Sequence, residues 1–166
     1  MFDITRLSSR YAVRFMRDSD ADRILDLCLQ NTQYYQFCGK QPSRELVLND
    51  LHITPPGIEM SSKYYVGFYN NTVLVAIMDL INGYPSNDYV FIGFFMMNKQ
   101  LQVHQIGSGI IQEVCQYLKE LGIKTVRLGI DKGNPQSTHF WKKNGFLVIK
   151  EVEQDEGTVL VAEKTL

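Results

Sequence analysis

Two rhythms of hydrophobic and polar residues run along the chain, and each predicts a kind of element. Residues 11–16, "YAVRFM", read as a strand. Over residues 18–35 Ile24, Leu25, Cys28 and Leu29 recur at helical spacing, with Ser19 as N-cap and Asp22 three residues later completing a capping box. A second helix is predicted from Ser43 through "RELVLNDL", and "TPPG" (54–57) stops it. Residues 63–69 and 72–81 are strands joined by Asn70-Asn71, a tight turn suited to asparagine because that residue tolerates φ > 0. After the turn "GYPSND", residues 89–97 are apolar on both faces, which predicts a central, fully covered strand.

The second half changes rhythm. In "GSGIIQEVCQYLKEL" Ile110, Ile111, Val114, Leu118 and Leu121 mark one helical face, and "KTVRLGI" after it reads as a strand. Strand, helix, strand in that order implies a parallel pair with a right-handed crossover. "NPQSTHFWKKNGF" (134–146) is a short helix: Asn134 caps it, Pro135 suits its first position, and Gly145 can take the left-handed conformation that ends it. Phe140 has a natural core role there, and Trp141 need not share its face. "FLVIKEVE" and "TVLVAEKTL" close as a hairpin over "QDEG". The order β-α-α-β-β-β-α-β-α-β-β describes a single-domain α/β or α+β fold with a mixed sheet.

Composition narrows the function. The chain of 166 residues is 45% hydrophobic and 21% charged, enough to bury a core without disulfides or metals. A net charge of −1 argues against a sequence-independent nucleic-acid binder, which needs a basic face. Cys28, Cys38 and Cys115 are widely spaced and odd in number, so they read as reduced thiols of a cytoplasmic protein rather than disulfides or metal ligands. The start "MFDITRLSSR" lacks the apolar core of a signal peptide, and no apolar run reaches the roughly 18 residues of a membrane span.

Two places in this reading carry candidate chemistry. Gly107, Ser108 and Gly109 open the long helix, whose first amides have no internal partner; such an end suits phosphate groups. Glycines that only permit tight packing explain the same pattern. Asp79 is the only acid in the apolar run 72–81, so it is either a base facing a cleft or a cap at a strand end. His52 and His139 show no partner, and His104 reads as a loop residue.

Together, "QVHQIGSGIIQEV" and, some 30 residues later, "NPQSTHFWKKNGF" resemble the GNAT superfamily of acyl-CoA-dependent N-acyltransferases. The order of elements resembles that fold too, over nearly the whole chain, residues 1–166. The resemblance implies an α/β (α+β) GNAT-like mixed sheet of about seven strands flanked by helices. The family's first motif, Gln/Arg-x-x-Gly-x-Gly/Ala, can be placed on 104–109 or on 102–107. The second register keeps Gln102 and Gly107 and puts Gln105 where a glycine is expected. In the second motif Asn134, Lys143, Gly145 and Phe146 match, Ser137 replaces an alanine, and Trp141 replaces the tyrosine that often protonates the departing thiolate.

On that resemblance the chain would be an N-acetyltransferase with acetyl-CoA as cosubstrate, an amine acceptor and no metal, nucleic acid or membrane. The acyl carrier would lie in a V-shaped gap between the fourth and fifth strands. It would be held by Phe95, Met96 and Met97, by Gln102, Val103, His104, Gln105, Ile106, Gly107 and Ser108, and by Asn134, Ser137 and Trp141. Asp79 and Trp141 would serve catalysis, and Tyr34, Tyr35 and Tyr84 would border the acceptor. Trp141 would shape the site, because an indole N–H is no usable acid near neutral pH. Homodimers through a sheet edge or the C-terminal strand are common in such folds. The competing readings are an acyl-CoA-binding sensor without turnover and a nucleotide-binding α/β domain; "QIGSG" follows the fourth strand rather than the first, which disfavours the latter.

Overall fold

In the computed structural model, which describes residues 2–102 and 105–166, seven strands form one mixed sheet flanked by helices. β1 (Ala12–Phe15), β2 (Lys63–Asn70), β3 (Val73–Asn82) and β4 (Tyr89–Met97) are antiparallel neighbours. β5 (Thr125–Asp131) lies parallel to β4, and β6 (Leu147–Gln154) and β7 (Gly157–Thr165) complete the order β1-β2-β3-β4-β5-β7-β6. The helices are α1 (Ala21–Leu29), α2 (Thr32–Tyr35), α3 (Arg44–His52), α4 (Ile106–Glu120) and α5 (Pro135–Lys143). Among the described residues no helix is long and apolar enough to cross a membrane.

Alternation along the central strands feeds two cores. Tyr64, Val66 and Phe68 of β2 pack with α4, whereas Tyr65 and Tyr69 pack with α1 and α3 on the other face. Ile110, Ile111, Val114 and Leu118 of α4 are all but fully buried. Each such side chain contributes roughly 1.5–3 kcal/mol, so this face outweighs any cap, which is worth about 1 kcal/mol. Leu121 lies past the helix end and is exposed, and on α1 Leu27 is buried where Leu29 is not.

Local signals held where the partner group is nearby in sequence. Ser43 caps α3, its side chain accepting from the Leu46 amide at 3.1 Å. The predicted Ser19 cap is not formed. A 3₁₀ turn over Asp18–Asp20 leads into α1, and Asp20 Oδ2 accepts from the Arg17 amide at 3.0 Å. Asp22 instead pairs with Arg44 Nε at 3.0 Å.

The single helix predicted over 18–35 is broken between α1 and α2 at Asn31, which is 7% exposed. Its Nδ2 donates to Leu27 O at 2.9 Å and to Met97 O at 3.0 Å, and its Oδ1 accepts from Gln102 Nε2. A distant strand end thus takes the side chain, and the helix stops there.

β4 is central, but it is not fully covered. β2 and β3 are the strands buried on both faces, whereas Gly93 is exposed and Phe94 and Phe95 are half-buried. The cause is the register. β4 pairs with β5 only from Tyr89↔Thr125 to Ile92↔Leu128. Beyond that β4 stays with β3, while Gly129, Ile130 and Asp131 stay with β7, and the two strands part.

Replacing Asn31 by alanine leaves buried carbonyls at Leu27 and Met97 without that donor. We expect Asn31→Ala to lower the unfolding free energy by about 1–3 kcal/mol in urea denaturation. A loss below a few tenths would show that the network contributes nothing net.

Candidate active site

The parting of β4 and β5 opens a cleft of about 500 Å³. Phe95, Met96 and Met97 of β4 form one wall and Leu128 to Asp131 of β5 the other. The start of α4 and one side of α5 close it. Gln105, Gly107 and Ser108 line it. Gln105 is left-handed, with φ 57°, at the position where the motif has glycine. Among the described residues no side chain caps α4, unlike α3 and α5, so its first amides have no side-chain partner there.

Gly107 serves packing as well as access. A Cβ there would stand 3.2 Å from Phe140 Cε2 and 3.5 Å from Met97 Cγ. The two readings offered for this glycine are therefore compatible. Ile106 turns into the core and does not line the cleft. Val103 and His104 lie outside the described residues.

α5 is positioned at both ends. Asn134, 3% exposed, caps it by accepting from the Ser137 amide at 3.0 Å, and both residues line the cleft. At the other end the Phe146 amide donates to Trp141 O at 3.0 Å and Gly145 is left-handed, a Schellman ending. The core role expected for Phe140 falls to Trp141, which is the buried residue of α5. Its ring lies 5.9 Å from Phe95, 5.0 Å from Phe140 and 5.0 Å from Phe146, centroid to centroid. Phe140 stacks on Phe95 at the cleft and covers Gly107.

Asp79 is not a strand-end cap. It sits inside β3, 7% exposed, with Oδ2 2.6 Å from Lys63 Nζ, whose side chain is 2% exposed. Its Oδ1 has no hydrogen-bond partner among the described residues. Burial pushes its pKa up to about 6, against the opposing pull of the Lys63 ammonium. A β-bulge at this point sets Asp79 opposite Phe94 and Leu80 opposite Ile92, leaving Gly93 as the extra residue. A Cβ at Gly93 would meet Asp79 Oδ2 at 2.7 Å, so the carboxylate requires a glycine there.

Asp79 lines a second cavity of about 460 Å³, which adjoins the first at Tyr34, Gly93, Phe94 and Asp131. Tyr34 and Tyr35 both border this second cavity, and burial raises both phenols. Tyr84 does not reach either cavity. It stays on the β3–β4 turn, edge-on to Phe91 with centroids 5.5 Å apart.

Several site residues escaped the sequence reading. Lys99 and Lys143 bring positive charge to the first cleft, and Asn31, Gln136 and His139 also line it. Lys143 stood in the second motif and Lys99 just after an apolar strand, so a search for basic residues flanking the motifs finds both. Nothing local marks Asn31 or Lys63, whose partners are remote in sequence. Among the described residues no group of acids, histidines or cysteines is arranged to hold a metal.

The sheet order, with β4 and β5 parallel and splitting over the start of α4, defines a mixed α/β fold with one cleft at the split. The chain belongs to the acetyltransferase (GNAT) family, whose sequence profile matches residues 24–146. No curated protein sequence matches it. Among solved structures it is similar to an acetyltransferase from Thermus thermophilus, with TM-score 0.74 and 17% identity over 93% of this chain and 96% of that one. RimL, a ribosomal L7/L12 alpha-N-protein acetyltransferase solved with coenzyme A, gives TM-score 0.73 and 15% identity over 99% and 98%. The PaiA N-acetyltransferase of Thermoplasma acidophilum, also solved with coenzyme A, gives 0.66 and 16% over 93% and 98%. At such identities the likeness is one of fold.

The buried Lys63–Asp79 pair makes a separable prediction. Asp79→Asn strands a buried ammonium and Lys63→Met strands a carboxyl, so each should cost about 3–5 kcal/mol. The double variant should lose much less than the sum; strict additivity in urea denaturation would refute the coupling. The pH dependence has a definite sign. A folded pKa raised from 3.8 to about 6 makes the native state hold a proton that the unfolded chain releases. Relative to the double variant, wild-type stability should therefore fall as pH rises from about 4 to about 6.

Proposed function

We propose that the protein is an N-acetyltransferase that moves the acetyl group of acetyl-CoA to a primary amine by direct attack in a ternary complex. The observation that carries this reading is the uncapped start of α4 at the floor of the split between β4 and β5. Anionic groups are favoured at such an end by roughly 0.3–1 kcal/mol per contact when exposed, and by more when partly buried. Lys99 and Lys143 add charge at the same cleft. The CoA complexes of the PaiA and RimL proteins support the same choice of carrier.

Acetyl-CoA supplies the activated acyl group as a thioester. The edge of β4 past Ile92, which has no strand beside it, offers backbone donors and acceptors to the carrier's amides and to the acyl oxygen. Phe95 and Trp141 exclude water from the wall beside it. The amine enters from the second cavity, and the shared border at Gly93 lets the two substrates meet without a covalent relay. The thiols fit this. Burial raises Cys28 to about 11 and also raises Cys38 and Cys115, so none is a thiolate nucleophile at neutral pH. Asp79, with one free oxygen, attracts the ammonium and accepts a proton from it.

One observation favours an acyl-CoA sensor without turnover: Trp141 stands where the family usually has an ionisable phenol. Thiol release from acetyl-CoA against a panel of amines decides between the two. A simple thiol leaves tolerably as thiolate near neutral pH, so loss of a general acid costs the low end of about 10²–10⁴-fold.

CoA and acetyl-CoA should raise the melting temperature, and ATP and NAD should not. Ser108→Asp places a carboxylate in the first turn of α4, where it suits the helix but repels phosphate. The variant should keep its ligand-free melting temperature and lose the CoA shift; a retained shift would remove α4 from the binding site.

Trp141 should act through shape. Trp141→Phe is expected to keep turnover within about 10-fold, while Trp141→Ala loses more and also loses about 3–5 kcal/mol of stability. A Phe variant whose loss follows a titrating group on the alkaline limb would show that the indole does more than fill space.

A further inference from the structure

The second cavity is charged in a way that names its occupant. Four carboxylates line it, those of Asp50, Asp79, Asp131 and Glu156, against one lining lysine, Lys40. Lys40 pairs with Glu156 at 3.1 Å, and Asp79 with Lys63. Among the described residues Asp50 and Asp131 make no ion pair, and the four carboxylates outnumber the two nearby lysines, Lys40 and Lys63, by two. Both are also partly desolvated, and burial pushes both carboxyls above their ordinary range.

A further group lies in the wall of the same space. Asp79 lines it, and its Oδ1 is buried and has no hydrogen-bond partner among the described residues. Buried acceptors and carboxylates without partners call for a donor that carries positive charge. Between the charges the walls are apolar, with Tyr34, Phe94 and Pro55 lining the cavity. Such walls suit methylene groups.

The acids are also spread in a useful order. Asp131 borders both cavities and Asp79 touches Gly93 at their junction, whereas Asp50 lies away from it on α3. We propose that the acceptor is an aliphatic diamine or polyamine: Asp79 and Asp131 receive the reacting amine, and Asp50 holds a second ammonium. This rests on the acetyltransferase reading above. The reacting ammonium releases one proton, its nitrogen bonds the acetyl carbon, the carbon–sulfur bond breaks with its electron pair leaving on sulfur, and the nitrogen's second proton passes to the thiolate. Acetyl-CoA and an alkylammonium thus give an acetamide, CoA thiol and one proton.

The test compares thiol release for putrescine, butylamine and γ-aminobutyrate, which share a four-carbon chain and differ in the distal group. Putrescine should exceed butylamine in kcat/KM by roughly 10-fold, and γ-aminobutyrate, with its distal carboxylate, should be the poorest. Asp50→Asn should narrow the putrescine-to-butylamine ratio towards one; should that variant not fold, the wild-type ratio decides. Comparable rates for all three acceptors would overturn the diamine proposal and leave acetyl transfer standing. No thiol release with any amine would overturn acetyl transfer instead. Calorimetry of putrescine and butylamine with the CoA-loaded protein then tests the cavity alone, and equal affinities would overturn it.

Discussion

One extra residue in β4 governs the rest. Gly93 is the bulged residue between the pairs Asp79↔Phe94 and Leu80↔Ile92, and from Gly93 onward β4 no longer pairs with β5. An unpaired strand edge inside a sheet is expensive unless something covers it or binds it. Here the edge is kept because each strand has another partner: β3 holds β4 and β7 holds β5 over the same stretch. The separation costs the sheet few hydrogen bonds, and it yields two cavities that meet at the bulge itself. The carboxylate of Asp79 and the missing side chain of Gly93 are therefore one feature. A Cβ at residue 93 would stand 2.7 Å from the Asp79 carboxylate where it now lies.

The buried polar groups of this chain are concentrated around that split. Asn31 ties the end of α1 to Met97 O at the end of β4 and to Gln102 at the approach to α4. Lys63 and Asp79 bridge β2 and β3 beneath the bulge. Away from the clefts, the same strands carry Val66, Phe68, Ile77 and Met78 with no exposure at all. An apolar core would be at least as stable as a buried ion pair. Polar groups in these places fix the geometry of a strand edge that the sheet itself no longer holds.

The sequence exposed what is local and hid what is long-range. Ser43 and Asn134 bond amides three residues ahead, and both caps were legible. The strands followed from apolar runs bounded by turn residues, and the family motifs pointed to the start of α4. Asn31 looked like the middle of a helix because its acceptor, Met97 O, lies 66 residues away. Lys63 read as the polar end of a strand, since only the register with β3 reveals Asp79 beside it. β4 read as fully covered because an apolar run does not say when its neighbour turns aside. Phe140 read as the core residue of α5, and the buried one is Trp141. Phe140 instead lies over Gly107, where an added Cβ would stand 3.2 Å from its ring edge.

The departures from the family's motifs are tolerable for physical reasons that differ. Gln105 occupies a left-handed conformation that glycine adopts freely; a side chain there costs on the order of 1–2 kcal/mol. That cost is local. The Gln105 carbonyl still accepts from the Gly109 amide at 3.0 Å, so the helix begins normally and its first amides keep their direction. Trp141 changes chemistry instead of strain. It exchanges an ionisable phenol for a ring packed among Phe95, Phe140 and Phe146, gaining apolar contact area where an acid group was expected. The first departure raises the energy of the fold and leaves the helix start intact, whereas the second packs an indole where the family usually has a phenol. On the proposed acetyl transfer, a site that lacks the acid but has the helix start, the split strand and the carboxylate would work by holding two substrates together, with the leaving group departing as thiolate.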